Sequence, residues 1–360
     1  MGLRRDRACG TVEPMGTSAQ QLDPRTTKER EVADRRRALG AGPDDIVPNP
    51  GPQTAFLASP ADEILYGGRA GGGKTLALLL AALRGVEHPG YRAIIFRRAG
   101  PQLTKFLIPI ARELYPRLYP RGALRWNATD RRFSFPSGAT VEFGACDKER
   151  HIERYQGFEF AFIGWDELTA FTRYQYTFMF GRLRTTVPGL RTRMAGMTNP
   201  GGDGHEWVLR RWAAWLYPPG HPEYDGSRAH PGEILSFRSI PDSDEEQIVP
   251  LGARGAITRT FFPASLADTP QIGPDYEEKN LANLDRLTRK RLKDGDWMAR
   301  EVAGEFFERG WFELVDAAPH DVAFRIRYWD LAGTAAGKAA VERVDGGPVA
   351  LLYVGRGALH

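Results

Sequence analysis

A glycine-rich segment between an apolar strand and a helix-forming stretch places the strongest constraint on this chain. Residues 68–75 read Gly-Arg-Ala-Gly-Gly-Gly-Lys-Thr and match the pattern G-x-x-x-x-G-K-[ST] at every fixed position. Apolar residues 64–66 precede the segment, and residues 76–83 follow it with strong helix formers. A glycine backbone can curl so that its N–H groups face a phosphate chain, and the positive end of the following helix adds to the attraction. The pattern therefore predicts a loop that binds a nucleoside triphosphate rather than a plain glycine-rich turn.

The side chains of this loop have distinct expected roles. Lys74 is expected to reach the β- and γ-phosphates and to act in catalysis, and the Thr75 hydroxyl is expected to bind Mg²⁺. Arg69 is a further candidate for a phosphate contact. The predicted nucleotide-binding residues of the loop are Gly68, Arg69, Ala70, Gly71, Gly72, Gly73, Lys74 and Thr75.

Polar residues end two further apolar strands. Residues 160–165 form a continuous apolar run that ends in Asp166 and Glu167. An Asp at the carboxyl end of a strand beside a phosphate loop can support Mg²⁺, and the adjacent Glu is placed to activate the attacking water. Thr198 and Asn199 end the strand over residues 193–198, where they could sense the γ-phosphate; the alternative is an ordinary Asn-Pro turn. Together with the loop, the two carboxylates predict an ATP-hydrolysing site of the additional-strand type.

Apolar strands alternate with helical stretches from Ile64 onward, which predicts an α/β fold with a mostly parallel sheet. Residues 133–143 predict a β-hairpin. The leucines between Leu281 and Leu292 recur on one helical face, and Gly295–Trp297 is expected to end that helix. We divide the chain into a disordered N-terminal extension, a P-loop ATPase domain, a small helical lid or linker, and the start of a further domain, at residues 1–45, 46–250, 251–320 and 321–360.

Composition limits the partners but does not identify them. The net charge of +4 and the isoelectric point near 9.0 permit a nucleic-acid partner without requiring one. Cys9 and Cys146 lack the spacing of a metal site and are expected to be free thiols in a reducing compartment. No apolar run reaches the length of a membrane span, so no membrane contact is expected.

Five stretches, taken in order, resemble the large terminase subunit of tailed bacteriophages, the ATPase motor and nuclease that packages DNA into a procapsid. They correspond to that family's adenine motif, phosphate loop, catalytic-carboxylate motif, coupling motif and first nuclease strand. In this chain they are Pro50–Gln53, Gly67–Thr75, Tyr155–Leu168, Met197–Pro200 and Tyr328–Ala332. The resemblance implies a RecA-like P-loop ATPase domain, a helical lid or linker, and the first strands of a ribonuclease-H-like domain.

The resemblance also assigns roles to individual residues. It implies that Gln53 hydrogen-bonds the adenine edge, that Thr198 and Asn199 couple hydrolysis to movement, and that Asp330 holds a metal ion of the nuclease. It implies ATP and Mg²⁺ as ligands. The implied partners are double-stranded DNA, a portal protein, a small terminase subunit and further copies of the chain in a ring, all in the cytoplasm of the host cell.

Two features depart from the family pattern or remain open. Only thirty residues follow Asp330, and Glu342 and Asp345 are the acidic residues among them. Two-metal phosphodiester cleavage needs several carboxylates, so we expect no nuclease activity from this chain as given. An arginine finger is also expected, and the sequence does not choose among its four candidates. These are Arg97, Arg98, Arg150 and Arg154.

Other functions remain open at this stage. A helicase or recombination ATPase shares the same core, and a non-catalytic remnant could still fold and bind nucleotide. Two basic runs, residues 148–154 and 286–293, could contact DNA phosphates or could be ordinary solvated surface.

Overall fold

The computed structural model divides the chain into two compact units, residues 1–300 and 301–360. Within the second unit, only the backbone of two strands is described. The predicted N-terminal extension and Asp330 lie outside the described residues. The structure describes residues 46–119, 122–221, 223, 228–243, 245–269, 272, 276–300, 322–328 and 350–355.

Among the described residues of the first unit, ten strands form one sheet in the order β3-β4-β5-β2-β6-β7-β1-β10-β8-β9. The six strands from β5 to β10 in this order are parallel, and an antiparallel pair extends the sheet at each edge. The prediction of a mostly parallel α/β sheet is therefore confirmed. The strands are β1 Glu63–Gly68, β2 Arg92–Arg97, β3 Arg125–Asn127, β4 Arg132–Ser134, β5 Thr140–Ala145, β6 Phe162–Asp166, β7 Arg193–Thr198, β8 Leu235–Ser239, β9 Glu246–Val249 and β10 Ile257–Ala264.

Short helices connect and cover these strands. The α-helices are α1 Pro52–Ala58, α2 Lys74–Ala82, α3 Gly100–Gln102, α4 Ile108–Leu118, α5 Arg173–Phe178, α6 His205–Arg211, α7 Ala213–Leu216 and α8 Arg286–Arg289. Turns of 3-10 helix lie at Glu149–Tyr155, Leu168–Ala170, Met179–Arg182 and Leu266–Asp268, and wider π-helical turns at Leu103–Leu107, Tyr276–Leu281 and Lys290–Asp294. None of the described helices is both long and apolar enough to cross a membrane.

The sheet is buried on both faces, which explains the continuous apolar runs of its central strands. On one face, Leu78 of α2 packs with Tyr66 and other core residues. On the other face, Leu65 belongs to a cluster that contains Trp165 and Trp212. All six residues of β1 are buried. The strand that leads into the glycine-rich loop is thus fixed in the middle of the core.

The order of the parallel strands places β7 between β1 and β6. The registers pair Gly67 of β1 with Thr198 of β7, and Met197 of β7 with Asp166 of β6. Arg97, the last residue of β2, pairs with Asp166 in turn. Since the carboxyl ends of parallel strands meet at one edge, the topology brings these polar strand ends together. β7, inserted between β1 and β6, is the additional strand that the sequence predicted.

The predicted end of the ATPase domain at residue 250 falls before a central strand of the sheet and is corrected here. β10 pairs in parallel with β1 along its whole length, from Arg259 beside Glu63 to Ala264 beside Gly68. Threonines and an arginine interrupt the apolar pattern of β10, so the sequence alone gives a weak strand signal. Any lid or linker therefore begins after Ala264.

The second unit contains an antiparallel pair, β11 Val322–Tyr328 and β12 Ala350–Gly355. The sequence predicted strands at both places. The assignment of this unit to a ribonuclease-H-like domain remains a prediction, because the residues between the two strands lie outside the described part of the chain.

A buried ion network joins the amino ends of β1 and β10, at the end of the sheet opposite the glycine-rich loop. Glu63 is fully buried at the start of β1 and accepts hydrogen bonds from Arg259 Nε at 2.8 Å, Arg211 Nη2 at 3.0 Å and Tyr176 Oη at 2.6 Å. Arg259 also bonds Glu246 at 2.9 Å. Burial alone would raise the pKa of Glu63, but the two arginines and the Tyr176 hydroxyl outweigh it and lower the pKa to about 2. The network explains how β10 buries an arginine.

We expect Glu63→Gln to lower the free energy of unfolding by about 3 kcal/mol at pH 7, since two buried guanidinium groups lose their fully buried counter-charge and keep only the partly exposed Glu246. The folded-state pKa of about 2 lies below the ordinary value of 4.5, so the stabilisation is complete above pH 4.5 and is lost as the pH falls towards 2. Urea unfolding at pH 7, 4 and 3 measures the difference between the two proteins.

A matched control is Glu159→Gln, because Glu159 pairs with Arg184 on the exposed surface. That change is expected to cost less than about 1 kcal/mol. A difference between Glu63→Gln and the unmodified protein that stays constant from pH 7 to pH 3 would contradict the network's role.

Candidate active site

The glycine-rich loop runs from the end of β1 to the start of α2 and is held from several sides. Arg69 N donates to the Ala264 carbonyl at 3.2 Å, and the Tyr66 hydroxyl donates to the Gly72 carbonyl at 2.8 Å. Gly67 has φ +139°, and a Cβ there would lie 2.1 Å from the Thr198 carbonyl oxygen. A side chain at this position would separate β1 from β7, so a glycine is required just before the loop.

Lys74 joins the loop to the neighbouring strand ends. Its Nζ donates to Asn199 Oδ1 at 2.8 Å and to the Arg69 carbonyl at 2.9 Å. Desolvation lowers the pKa of Lys74, and the nearby charges of Glu167 and Asp166 partly offset that effect. The structure therefore brings together four predicted site residues that lie far apart in sequence.

Asp166 is buried at the end of β6, and its carboxylate forms a close ion pair with Arg97 Nη1. Burial raises the pKa of Asp166 to about 6, although Arg97 acts in the opposite direction. A carboxylate that is poorly stabilised by its surroundings gains from a bound cation, so Asp166 fits a role in holding Mg²⁺ together with the Thr75 hydroxyl in the first turn of α2. No cluster of three or more His, Cys, Asp or Glu side chains that could hold a metal occurs in the described part of the chain. A metal here would accordingly rely on few protein ligands and on the phosphates.

Glu167 adopts a left-handed backbone conformation with φ +58°, directly before the 3-10 turn Leu168–Ala170. A non-glycine residue in this region carries conformational strain, and such strain is concentrated at functional sites. Glu167 is half-buried and directly follows the buried Asp166, whose carboxylate pairs with Arg97. The conformation motivates the hypothesis that Glu167 is held in place for chemistry.

Thr198 and Asn199 contact two different parts of the site. Asn199 receives the Lys74 hydrogen bond, whereas the buried Thr198 hydroxyl lies 2.7 Å from the Thr169 hydroxyl and donates to the Asn199 carbonyl at 3.0 Å. Thr169 follows Glu167 by two residues. Sequence reasoning missed Thr169, since a threonine after a catalytic carboxylate carries no recognisable signal. These contacts link the loop lysine to the Glu167 turn, as a coupling role for Thr198 and Asn199 requires.

Gln53 lies beneath the loop with both ends of its amide engaged. It is 2% exposed; its Nε2 donates to the Gly73 carbonyl at 3.0 Å, and its Oε1 accepts from the Asn49 backbone N–H at 2.5 Å. This arrangement supports the loop from α1. The predicted hydrogen bond from Gln53 to adenine stays a prediction, and it would require the amide to leave these partners.

The four candidate finger arginines differ in their surroundings. Arg97 pairs with Asp166, and Arg98 Nη1 donates to Gln175 Oε1 at 2.7 Å. Arg150 and Arg154 lie exposed on the 3-10 turn Glu149–Tyr155. The same turn carries one of the two basic runs proposed to contact DNA.

A segment far along the sequence also touches the loop. Ala70 N donates to the Leu292 carbonyl at 2.8 Å, and Arg69 Nε donates to the Asp294 carbonyl at 3.0 Å. The sequence predicted only the end of a helix at Gly295–Trp297. The signal that could have found this contact is the glycine itself, because a glycine beside acidic and aromatic residues often marks a close backbone approach.

We expect Gln53→Ala to weaken binding of ATP and GTP to a similar extent, by about tenfold, because the loop loses a support rather than a base-reading group. Competition of both nucleotides against a fluorescent analogue measures the two affinities. Gln247→Ala, which removes an exposed glutamine on the edge strand β9, serves as the control. A selective loss of ATP relative to GTP would instead favour the adenine contact.

One protein family matches most of this chain. The family model of the terminase large subunit, T4likevirus-type, N-terminal, matches residues 64–314, which is more than two thirds of the chain. No curated protein sequence matches.

Several solved structures are similar at low identity. The large terminase of the thermophilic bacteriophage D6E has a TM-score of 0.47 at 14% identity, over 68% of this chain and 53% of that one. Its complex with ATP-gamma-S gives 0.45 at 16% identity, over 68% and 52%. The ATPase domain of the Thermus phage P74-26 large terminase gives 0.42 at 15% identity, over 73% and 97%. The present chain thus spans about half the length of the D6E protein. On the strength of the family match, this chain belongs to the terminase large subunit family.

Proposed function

We propose that the chain hydrolyses ATP to drive double-stranded DNA into a procapsid. One observation carries the proposal: the Lys74 ammonium meets Asn199 and the charges of Asp166 and Glu167 at the carboxyl edge of the sheet. This combination supplies a phosphate-binding cation, a metal-supporting carboxylate and a base in one place. Membership of the terminase family supports DNA as the translocated polymer.

The residues divide the chemistry as follows. The loop N–H groups and Lys74 bind the phosphates, and Thr75 and Asp166 hold Mg²⁺. When bound, the metal offsets charge on the phosphates and on the leaving group. Glu167 accepts a proton from a water molecule as that water forms a bond to the γ-phosphorus, and the bond to the β,γ-bridging oxygen breaks to release ADP. An arginine finger from a neighbouring copy in a ring would offset the remaining charge.

The family supports the same partners that the sequence implied: a portal protein, a small terminase subunit and further copies of the chain, in the cytoplasm of the host cell. A helicase remains the competing enzyme class, since it shares the ATPase core. The engaged contacts of Lys74, Asp166 and Asn199 argue against a remnant without a working site.

Replacement of the proposed base tests the chemistry directly. We expect Glu167→Gln to retain ATP binding and to lower the kcat of hydrolysis by about 100- to 1000-fold, because the water loses its proton acceptor. Steady-state phosphate release and nucleotide binding measure the two properties separately. Glu159→Gln, which removes an exposed surface carboxylate, is expected to leave both unchanged. Wild-type turnover in Glu167→Gln would refute the assignment.

The nature of the stimulating DNA separates the motor from a helicase. We expect ATP hydrolysis to rise when linear double-stranded DNA is supplied with portal-bearing procapsids, since the motor works on that assembly. Packaging is measured as DNA protected from nuclease. Stimulation by single-stranded DNA alone, together with strand separation, would favour the helicase.

A further inference from the structure

Residues 290–299, which we call the clamp segment, close over the glycine-rich loop. Ala70 N and Arg69 Nε donate to two carbonyls of this segment, those of Leu292 and Asp294. Gly295 has φ +67°, and a Cβ there would lie 2.9 Å from the Gly68 carbonyl oxygen. Only glycine permits this approach and this conformation, so the backbones of the clamp segment and the loop are in direct contact.

His205 ties the same segment to the loop that follows Asn199. The Gly201 backbone N–H donates to His205 Nδ1 at 3.0 Å, and His205 Nε2 lies 3.0 Å from the Trp297 carbonyl oxygen. Because Nδ1 accepts a hydrogen bond, the proton of the neutral ring must be on Nε2, which therefore donates to Trp297. Desolvation lowers the pKa of His205, in agreement with the neutral form.

Packing reinforces this tie. The rings of His205 and Trp297 stack with centroids 5.3 Å apart and planes 17° apart, and both side chains are buried. The Trp297 indole nitrogen has no hydrogen-bond partner among the described residues. Trp297 thus acts through its ring and its backbone carbonyl. Arg291 of the clamp segment also lies against Gly201, in the loop that follows β7, so the clamp segment contacts that loop at a second point.

The clamp segment has space in which to move. A cavity of about 580 Å³ lies between residues 294–298, the start of the glycine-rich loop at residues 67–69, the end of β10 and α7. The part of the segment that touches the loop, residues 292–295, is held there by two hydrogen bonds and by the close approach of Gly295 to Gly68. A shift of this part would break few contacts, whereas Trp297 anchors the end of the segment in the core.

We infer that His205 is a positioning residue that transmits the nucleotide state of the site to the clamp segment. The inference rests on the proposed ATPase function. A bound triphosphate draws Lys74 away from Asn199 and draws the loop N–H groups towards phosphate. The first change reaches the clamp segment through Gly201 and His205, and the second reaches it through Ala70. The contacts between the clamp segment and the glycine-rich loop are then weakened.

Hydrogen–deuterium exchange on the full-length chain, with and without ATPγS and Mg²⁺, tests this route. In the unmodified protein we expect ATPγS to speed exchange over residues 290–299 by about fivefold or more. His205→Ala is expected to bind ATPγS but to lose most of this response. Trp297→Phe keeps the stacked ring and the backbone carbonyl, so it should respond like the unmodified protein. His230→Ala, which removes an exposed histidine, is the matched control.

The outcomes separate the inference from the proposed function. Absence of ATPγS binding in the unmodified chain would overturn the proposed function itself. Binding without a change over residues 290–299, or an equal change in His205→Ala, would overturn only the inference. If His205→Ala fails to fold by circular dichroism, Trp297→Ala removes the stack from the other side and should lose the response while Trp297→Phe retains it.

Discussion

The ammonium group of Lys74 organises the whole carboxyl edge of the sheet. It is partly desolvated, it bonds the Asn199 amide oxygen and the Arg69 carbonyl, and it senses the charges of Asp166 and Glu167. A cation removed from water needs compensating oxygens, and here they come from the ends of two strands, β6 and β7, and from the loop itself. Binding of a triphosphate must offer this cation a better set of oxygens.

The amino ends of β1 and β10, at the opposite end of the sheet from the loop, are held more strongly. Glu63 is buried between Arg211 and Arg259, and its removal would leave two buried cations with the single carboxylate of Glu246 to share. Because Glu63 begins β1 and Arg259 lies in β10, the network fixes the two strands whose far ends carry the loop. The sheet is therefore held rigidly at one edge, and rearrangement is confined to the other.

How much of this the sequence predicts depends on how local each signal is. The loop, the carboxylates after β6 and the polar end of β7 were predicted because each follows from a short run of residues, and the structure brings them together. β10 was missed because Arg259 is paired with a residue almost two hundred positions away. The hydrogen bond from Gln53 to Gly73 could not be found from its motif, since the acceptor is a backbone carbonyl twenty positions away. The tie between His205 and Trp297 has no local signal of any kind.

The contacts around the loop are weaker than the Glu63 network at the other end of the sheet, so we expect a bound triphosphate to rearrange the loop end. Each neutral hydrogen bond that joins the loop, the Asn199 strand end and the clamp segment contributes about 1 kcal/mol to stability. Charge-assisted bonds from Lys74 and the loop N–H groups to phosphate are roughly twice as strong, and several form at once. A triphosphate can therefore reorganise the clamp side of the site without threatening the fold, whereas the Glu63 network cannot yield on the same scale. The Arg97–Asp166 pair lies on the yielding side, so a cation that binds Asp166 competes with Arg97 for the carboxylate.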